Sequence, residues 1–235
     1  MIDAGFLLGT MRQLLAAVPT TLALFALSVS IGAVIAGLLA WARVGGHPLL
    51  DRFARGYIFV FRGSPLLIQM FLVYYGLSQF PAVRHSPAWL VLREPFNCAV
   101  ISLALCTGGY AAEIFRGGLQ AVPHTAIEAA RASGMSGLLL FRRIIAPLAA
   151  RAALPAYSTE LVLMVKSTAL ASLVTVWEVT GVAQRIITHT YRTMEVFLCA
   201  AAIYLVLNVA LVRLLMLLEW RLSPDLRAPR PLPAA

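Results

Sequence analysis

Charge is what this chain is short of: acidic and basic residues fill only 12% of its 235 positions, about half the ~25% usual in a soluble domain. With 60% hydrophobic residues, that deficit excludes a soluble globular protein and leaves an integral membrane one. Lysine is almost missing too. Lys166 is the sole lysine among 19 basic residues, and it lies inside an apolar segment. The three cysteines, Cys98, Cys106 and Cys199, fall in apolar stretches without CxxC spacing, which reads as core packing. His47, His85, His124 and His189 are far apart, so no metal site is expected. No cluster of His, Asp or Cys has catalytic spacing, which argues against a membrane enzyme. A phosphate-binding loop is also missing. Lys166-Ser167 could end GxxxxGK[ST], but no glycine lies between Glu160 and Val165.

The net charge of +9 does not point to nucleic acid, because the arginines stand singly or in pairs at the edges of apolar runs, with no basic tract. Membrane topology explains them better. The amino terminus carries Asp3 and only Arg12 before its apolar run, a poor start for a cleaved signal, so the run from Leu22 is expected to remain as a span.

Apolar runs at about Thr20–Ala42, Phe53–Leu77, Phe96–Phe115, Leu154–Val176 and Val196–Leu218 each supply the roughly 20 residues that cross a bilayer. The expected fold is all-α, with five transmembrane helices and termini on opposite sides. With the amino terminus outside, Arg12, Arg84, Arg93, Arg185 and Arg192 face outward and every other arginine faces the cytoplasm. The positive-inside rule selects that orientation. The implied division is an extracytoplasmic segment at 1–19, a membrane domain at 20–218 with a cytoplasmic loop at about 116–151, and a cytoplasmic tail at 219–235. Pro224, Pro229, Pro231 and Pro233 keep the tail from forming a long helix.

Two spans carry breaks. At Arg62-Gly63-Ser64-Pro65, Ser64 can cap and Pro65 can take the first position of a new helix, and Gly108-Gly109 is expected to loosen span three. Ordinary membrane glycines and a tolerated proline are one reading; broken helices lining a translocation path are the other.

Glu128 to Pro147, EAARASGMSGLLLFRRIIAP, is a basic amphipathic island in this apolar chain. Thr125 to Glu128 fits a capping box that starts a helix at Ala126. Gly134 can end that helix, and Ser136 can cap a second one to about Ile145. Leu138 and Leu139 alternate with Arg142 and Arg143, placing apolar and basic stripes on opposite sides. That pattern suits a helix lying among lipid headgroups or a docking surface for a soluble partner.

The spacing Glu128-Ala129-Ala130, Gly134, Ile144, Pro147 resembles the EAA loop of ABC importer permeases, with Ala146 where that family usually has Leu. The resemblance covers nearly the whole chain through FRGSPLLIQMFLVYYG (61–76), GGYAAEIFRGGLQAVP (108–123) and LPAYSTELVLMVKSTALAS (154–172). The chain is thereby identified as a member of the polar amino acid branch of ABC permeases. Departures are Thr125-Ala126 for the usual Gly-Gln, Thr159 for the common Asn, and Lys166-Ser167-Thr168-Ala169-Leu170 for the KDTSL string.

The resemblance implies a type I importer permease with the MetI-like fold in the bacterial inner membrane, moving amino acids by alternating access. Basic amino acids or opines such as octopine are the implied cargo. Implied partners are two ATPase subunits, a second permease (paralogue rather than copy) and an extracytoplasmic binding protein, with no nucleic acid and no cofactor of its own, ATP being bound by the ATPases. Glu128, Ala129, Ala130, Gly134, Ile144 and Pro147 would contact the ATPase. An ion- or proton-driven carrier would also explain an intramembrane Glu and Lys, but it leaves the EAA spacing without a purpose.

For the substrate path, Glu160 ranks first: an ionisable group there costs ~2.5 kcal/mol or more unless it faces protein or water. A carboxylate in such a path could receive an α-ammonium or a guanidinium. Lys166, six residues later, is roughly 240° round a helix and not an i,i+4 partner. It could bind a substrate carboxylate, snorkel, or pair with another subunit. Gln69, one turn past Pro65, could bond substrate or backbone, and Thr159 and Thr168 complete the candidates. Glu113 and Arg116 read as a local ion pair.

Overall fold

The computed structural model describes residues 3–222, so the expected tail from Ser223 to Ala235 lies outside the described residues. Among the described residues eleven α-helices follow one another, with short 3₁₀ and π stretches between some of them, and no strand occurs. The first, α1 (Ala4–Val44), is 41 residues long, about 60 Å at 1.5 Å per residue. It starts well before the expected span boundary at Thr20. The Asp3 carboxylate accepts the Phe6 amide at 3.2 Å and so caps its first turn.

α1 is the spine of the bundle, and three apolar clusters stack along it. Leu14 packs with Val179, Val196 and Ile203. Leu24 packs with Met70, Leu103, Met164 and Val174. Ala36 and Leu39 pack with Ala54, Ile58 and Ala111. In a bilayer there is no water to exclude between helices, so close packing of small residues has to hold them. The α1 contact with α6 (Pro95–Gln120) shows it: a Cβ on Gly32 would lie 2.3 Å from Thr107 Cγ2, and one on Gly108 would lie 2.8 Å from Ile35 Cγ2. α6 is central, with 67% of its apolar window buried against 11% for α11 (Thr193–Leu222).

Gly108-Gly109 therefore does not loosen span three. α6 runs through both glycines unbroken, because their missing side chains are used to admit neighbouring helices.

The break in span two is sharper than expected. α2 (Pro48–Gly63) and α3 (Leu66–Phe71) meet at 102°, and α3 continues through a π turn at Leu72–Gly76. Ser64 does not cap the new helix, nor is Pro65 its first residue. Ser64 Oγ donates to Val60 O at 2.7 Å, closing α2, while Pro65 is the extended residue before Leu66. Two short helices, α4 (Pro81–Arg84) and α5 (Trp89–Leu92), lead to α6.

After α6 come α7 (His124–Ala132) and α8 (Gly137–Leu140). α7 begins at His124, so Thr125 lies inside the helix and forms no capping box; no side chain caps this end. Ser136 holds the cap position of α8 but makes no capping hydrogen bond. The second short helix does not stop near Ile145 either. It passes through a π turn at Phe141–Ile145 straight into α9 (Ala146–Ser167), where Pro147 is tolerated in the first turn.

α9 ends in a 3₁₀ stretch at Thr168–Val174, and α10 (Val179–Thr190) follows at a 46° bend. Three single helices and two bent pairs are long and apolar enough to cross a membrane, in agreement with the five expected spans.

Candidate functional site

The break between α2 and α3 frees carbonyl groups inside the bundle, where each needs a donor. Gln69 supplies several. Its Nε2 donates to Phe61 O at 3.0 Å, Ser64 O at 3.0 Å and Ser64 Oγ at 2.9 Å. Gln69 is buried, and its Oε1 has no hydrogen-bond partner among the described residues. From α6, Cys106 Sγ donates to Phe61 O at 3.9 Å and Tyr110 Oη to Arg62 O at 3.5 Å, while Tyr57 Oη on α2 donates the other way, to Leu105 O of α6 at 2.8 Å.

Glu160 on α9 reaches the same region. It is buried, and Thr107 Oγ1 donates to its Oε1 at 3.0 Å. The Arg62 guanidinium, which lies over the Tyr110 ring at 5.0 Å, acts on it electrostatically. A buried carboxyl group on α9 and, from α2, its carbonyl end and one arginine thus lie on either side of α6 residues Cys106, Thr107 and Tyr110. The carbonyl end of a helix carries partial negative charge, and Arg62 is the positive group that stands beside it.

The other path candidates do not join this cluster. Thr159 is exposed and donates to Pro155 O at 3.4 Å. Lys166 is exposed, with no ion pair among the described residues. Thr168 is buried and donates to Val165 O at 2.7 Å.

A second buried carboxylate, Glu178, escapes sequence reasoning because it sits between two apolar runs. It is fully buried, and its Oε1 accepts the Gly181 amide at 2.8 Å, capping α10. Its Oε2 accepts from Tyr204 Oη at 2.6 Å on α11. Thr21 on α1 accepts the Val179 amide at 3.3 Å. A Cβ on Gly181 would lie 2.3 Å from Val176 O, so this turn requires glycine. An acidic residue three positions before a glycine, in TVWEVTG, was the available sign.

The polar island forms a distinct surface. α7 ends in a Schellman motif: Met135 N donates to Ala130 O at 3.0 Å and Gly134 N to Arg131 O at 2.9 Å. Gly134 has φ +81 and open space around its Cβ position. Glu128, Ala129, Gly134 and Pro147 are exposed, Ile144 is partly covered, and Ala130 is buried. Leu138, 78% exposed, stands beside them. Behind this surface, Arg116 pairs with Glu113 at 2.6 Å as expected. Glu113 also meets Arg43 at 3.4 Å, and Asp51 holds Arg43 at 3.1 Å and Arg55 at 2.7 Å.

Residues 28–224 match the family described as binding-protein-dependent transport system inner membrane component. The chain belongs to that family. The permease is 54% identical over 228 residues to the octopine transport system permease protein OccM of Rhizobium meliloti, covering 97% of this chain and 93% of that one. It is 40% identical over 198 residues to the histidine/lysine/arginine/ornithine transport system permease protein HisM of Escherichia coli (strain K12), covering 84% and 83%. Among solved structures, a chain from an amino acid ABC transporter crystallised with histidines superposes with a TM-score of 0.81 at 32% identity, over 94% of the permease and 99% of that chain. A MetNI methionine transporter chain, at 20% identity and TM-score 0.64, shows the shared fold. The ion- or proton-driven carrier is not favoured by these relationships.

Proposed function

We propose that this permease works as one of two membrane subunits of an ATP-driven importer of basic amino acids or opines, with two separate ATPase subunits and an extracytoplasmic binding protein. The second permease is a paralogue. The amino terminus lies outside and the Glu128–Pro147 surface lies in the cytoplasm, within a loop spanning about 116–151. ATP is bound by the partners, and the chain needs no cofactor of its own.

The observation that supports the cargo reading is the buried Glu160 side chain and the carbonyl end of α2, linked through the neighbouring α6 residues Thr107 and Cys106. Both favour a positive group, and the permeases at 54% and 40% identity are named for octopine and for basic amino acids. The coupling reading is supported by the exposed turn at Gly134, which lets a partner approach the backbone closely. Docking there and alternating access of the cavity near Glu160 follow as one cycle. When the ATPases close, they draw the two docking surfaces together and the cavity opens outward; substrate leaves the binding protein for it, and hydrolysis resets the gate.

Reconstituting the assembled transporter and measuring ATPase stimulation by the binding protein, loaded in turn with basic amino acids, opines and neutral amino acids, tests this. Cationic or opine ligands should stimulate; stimulation by neutral ligands alone would overturn the cargo assignment.

A further inference from the structure

On the outer side, in the orientation proposed above, the 3₁₀ stretch at Thr168–Val174 and α10 border a cavity of about 400 Å³, within the ~300–1,000 Å³ of pockets for small ligands. A left-handed turn shapes it. Thr175, at φ +63, ends the 3₁₀ stretch and lines the cavity, and glycine at 181 lets α10 close onto the Val176 carbonyl. A β-branched residue in that region is strained, and such strain concentrates at ligand sites. One stripe of α10 then forms a wall: Gly181, Gln184, Arg185 and Thr188 recur at the i, i+3, i+4, i+7 spacing of a single helix face. Ser172 and Trp177 stand opposite. Ser172 lies roughly 20 Å along the chain axis from Glu160 at ordinary helical rises, and among the described residues no acidic side chain lines the cavity.

The walls hold donors that nothing else uses. The Arg185 guanidinium has no ion pair or hydrogen bond among the described residues. It lies over the Trp177 ring at 5.5 Å, a cation–π contact that keeps the planar group at the cavity wall. Gln184 Nε2 donates to Ser172 Oγ at 3.4 Å, while the Ser172 hydroxyl donates to Ala169 O at 2.8 Å. The second N–H of Gln184 therefore has no acceptor among the described residues. His189, also in the lining, has no hydrogen bond or ion pair among them either. Glu178 cannot neutralise this wall, being fully buried and committed to the Gly181 amide and Tyr204. Arg192, by contrast, is paired with Asp3. An unneutralised guanidinium and an amide donor beside an indole match a carboxylate on a short carbon chain, since the guanidinium fork suits both carboxylate oxygens.

We propose that this cavity is an outer binding site for the carboxylate end of the cargo, the Arg185 guanidinium and the Gln184 amide holding the carboxylate and Trp177 covering the adjoining carbons. It rests on the cargo reading above and sharpens it. The outer site takes the negative end of the solute first, and Glu160 takes the positive end farther along the path. An opine carries a second carboxylate on the substituent of its amino nitrogen, whereas a basic amino acid carries one. Cationic donors without an acidic neighbour therefore favour the opine.

Trp177 reports on the site directly. With Trp41, Trp89 and Trp220 changed to Phe, the full chain in phosphatidylcholine nanodiscs is titrated with octopine, arginine and agmatine, which share a guanidinium and a carbon chain but bear two, one and no carboxylates. Trp177 emission should respond to arginine at about tenfold lower concentration than to agmatine, the ratio that one charge-assisted hydrogen bond supplies, and to octopine at a lower concentration still. That ranking should collapse in Arg185→Gln and persist in Arg84→Gln, which removes a charge outside the cavity; both changes touch exposed side chains only. Equal responses to the three solutes, no response, or a ranking unchanged by Arg185→Gln would overturn the proposal. So would midpoints raised by added phosphatidylglycerol, the mark of a lipid-headgroup site. ATPase stimulation by cationic ligands without the ranking would remove the outer site and leave the cargo reading standing. The ranking together with stimulation by neutral ligands alone would support the carboxylate site and remove the cationic cargo.

Discussion

Thr107 on α6 donates to Glu160 on α9 at 3.0 Å, the buried polar bond that ties the central helix of the bundle to the helix bearing the candidate substrate carboxylate. The same Thr107 presses its methyl against Gly32 of α1, so one residue sets the spacing of three helices and the orientation of Glu160.

Removing the hydroxyl while keeping the shape separates these roles. Thr107→Val should leave the helix packing intact but deprive Glu160 of its donor, costing about 1–3 kcal/mol for an unsatisfied buried acceptor. Glu160→Gln should instead keep stability near the parent and reduce uptake of a cationic substrate at least tenfold, the factor that ~1.4 kcal/mol of lost binding produces. Thermal unfolding in detergent and uptake into proteoliposomes measure the two. Equal uptake by parent and Glu160→Gln would remove Glu160 from the substrate path.

Gly117 and Gly118 are neighbours with opposite surroundings. A Cβ on Gly118 would lie 2.6 Å from Ala149 O, whereas Gly117 has nothing within 4 Å. Gly118→Ala should force α6 from α9 and cost about 1–3 kcal/mol. Gly117→Ala should be neutral or stabilise by up to about 1 kcal/mol through helix propensity. Indistinguishable melting temperatures would contradict this helix contact.

At Gly134 the constraint is backbone, not space. With φ +81, Gly134→Val should cost roughly 1–3 kcal/mol locally, distort the Schellman turn and lower recovery of the ATPase subunits in co-purification. Gly134→Asn, which tolerates the left-handed region, should retain most of it. Full recovery with Val would argue against docking at this turn.

Tyr204→Phe removes the 2.6 Å bond to Glu178. An orphaned buried polar group costs about 1–3 kcal/mol, so this variant should melt earlier and expose the α10 region to amide exchange. Unchanged exchange across residues 178–190 would show that α10 is held by apolar packing alone.

Asp3 joins the start of α1 to the turn before α11, meeting Arg192 at 3.4 Å. The Phe6 amide and then the Arg192 guanidinium hold its carboxyl below the usual carboxylate range. A depressed folded-state value means that the contribution is present above the ordinary value of 3.8 and is lost as pH falls through the lower folded one. Acidification through that window should therefore loosen the amino end of α1, followed by amide exchange at Phe6, and Asp3→Asn should abolish the pH dependence.

Much of the fold was legible because the bilayer imposes a length on every span, and the five apolar runs obeyed it. The turn at Gly134 was also legible: it is placed by local chemistry, since few other residues accept its φ. Local signs failed where tertiary packing supplied the partner. Ser64 looked like a helix start, yet Gln69 reaches back over the break and the hydroxyl closes α2 instead. Gly108-Gly109 looked like a weak point, yet Ile35 and Phe61 occupy the space the glycines leave.

By itself the sequence determined an all-helical membrane protein with an exposed turn at Gly134, because span length, hydropathy and backbone preference are properties of short stretches. Only the tertiary structure decided which polar residues meet. Glu160 joins Thr107 from 53 positions away, Glu178 joins Tyr204 from 26, and Lys166 is left on an exposed face. Buried polar groups must find partners wherever the packed helices bring them, and that distance in space is not written in any one segment.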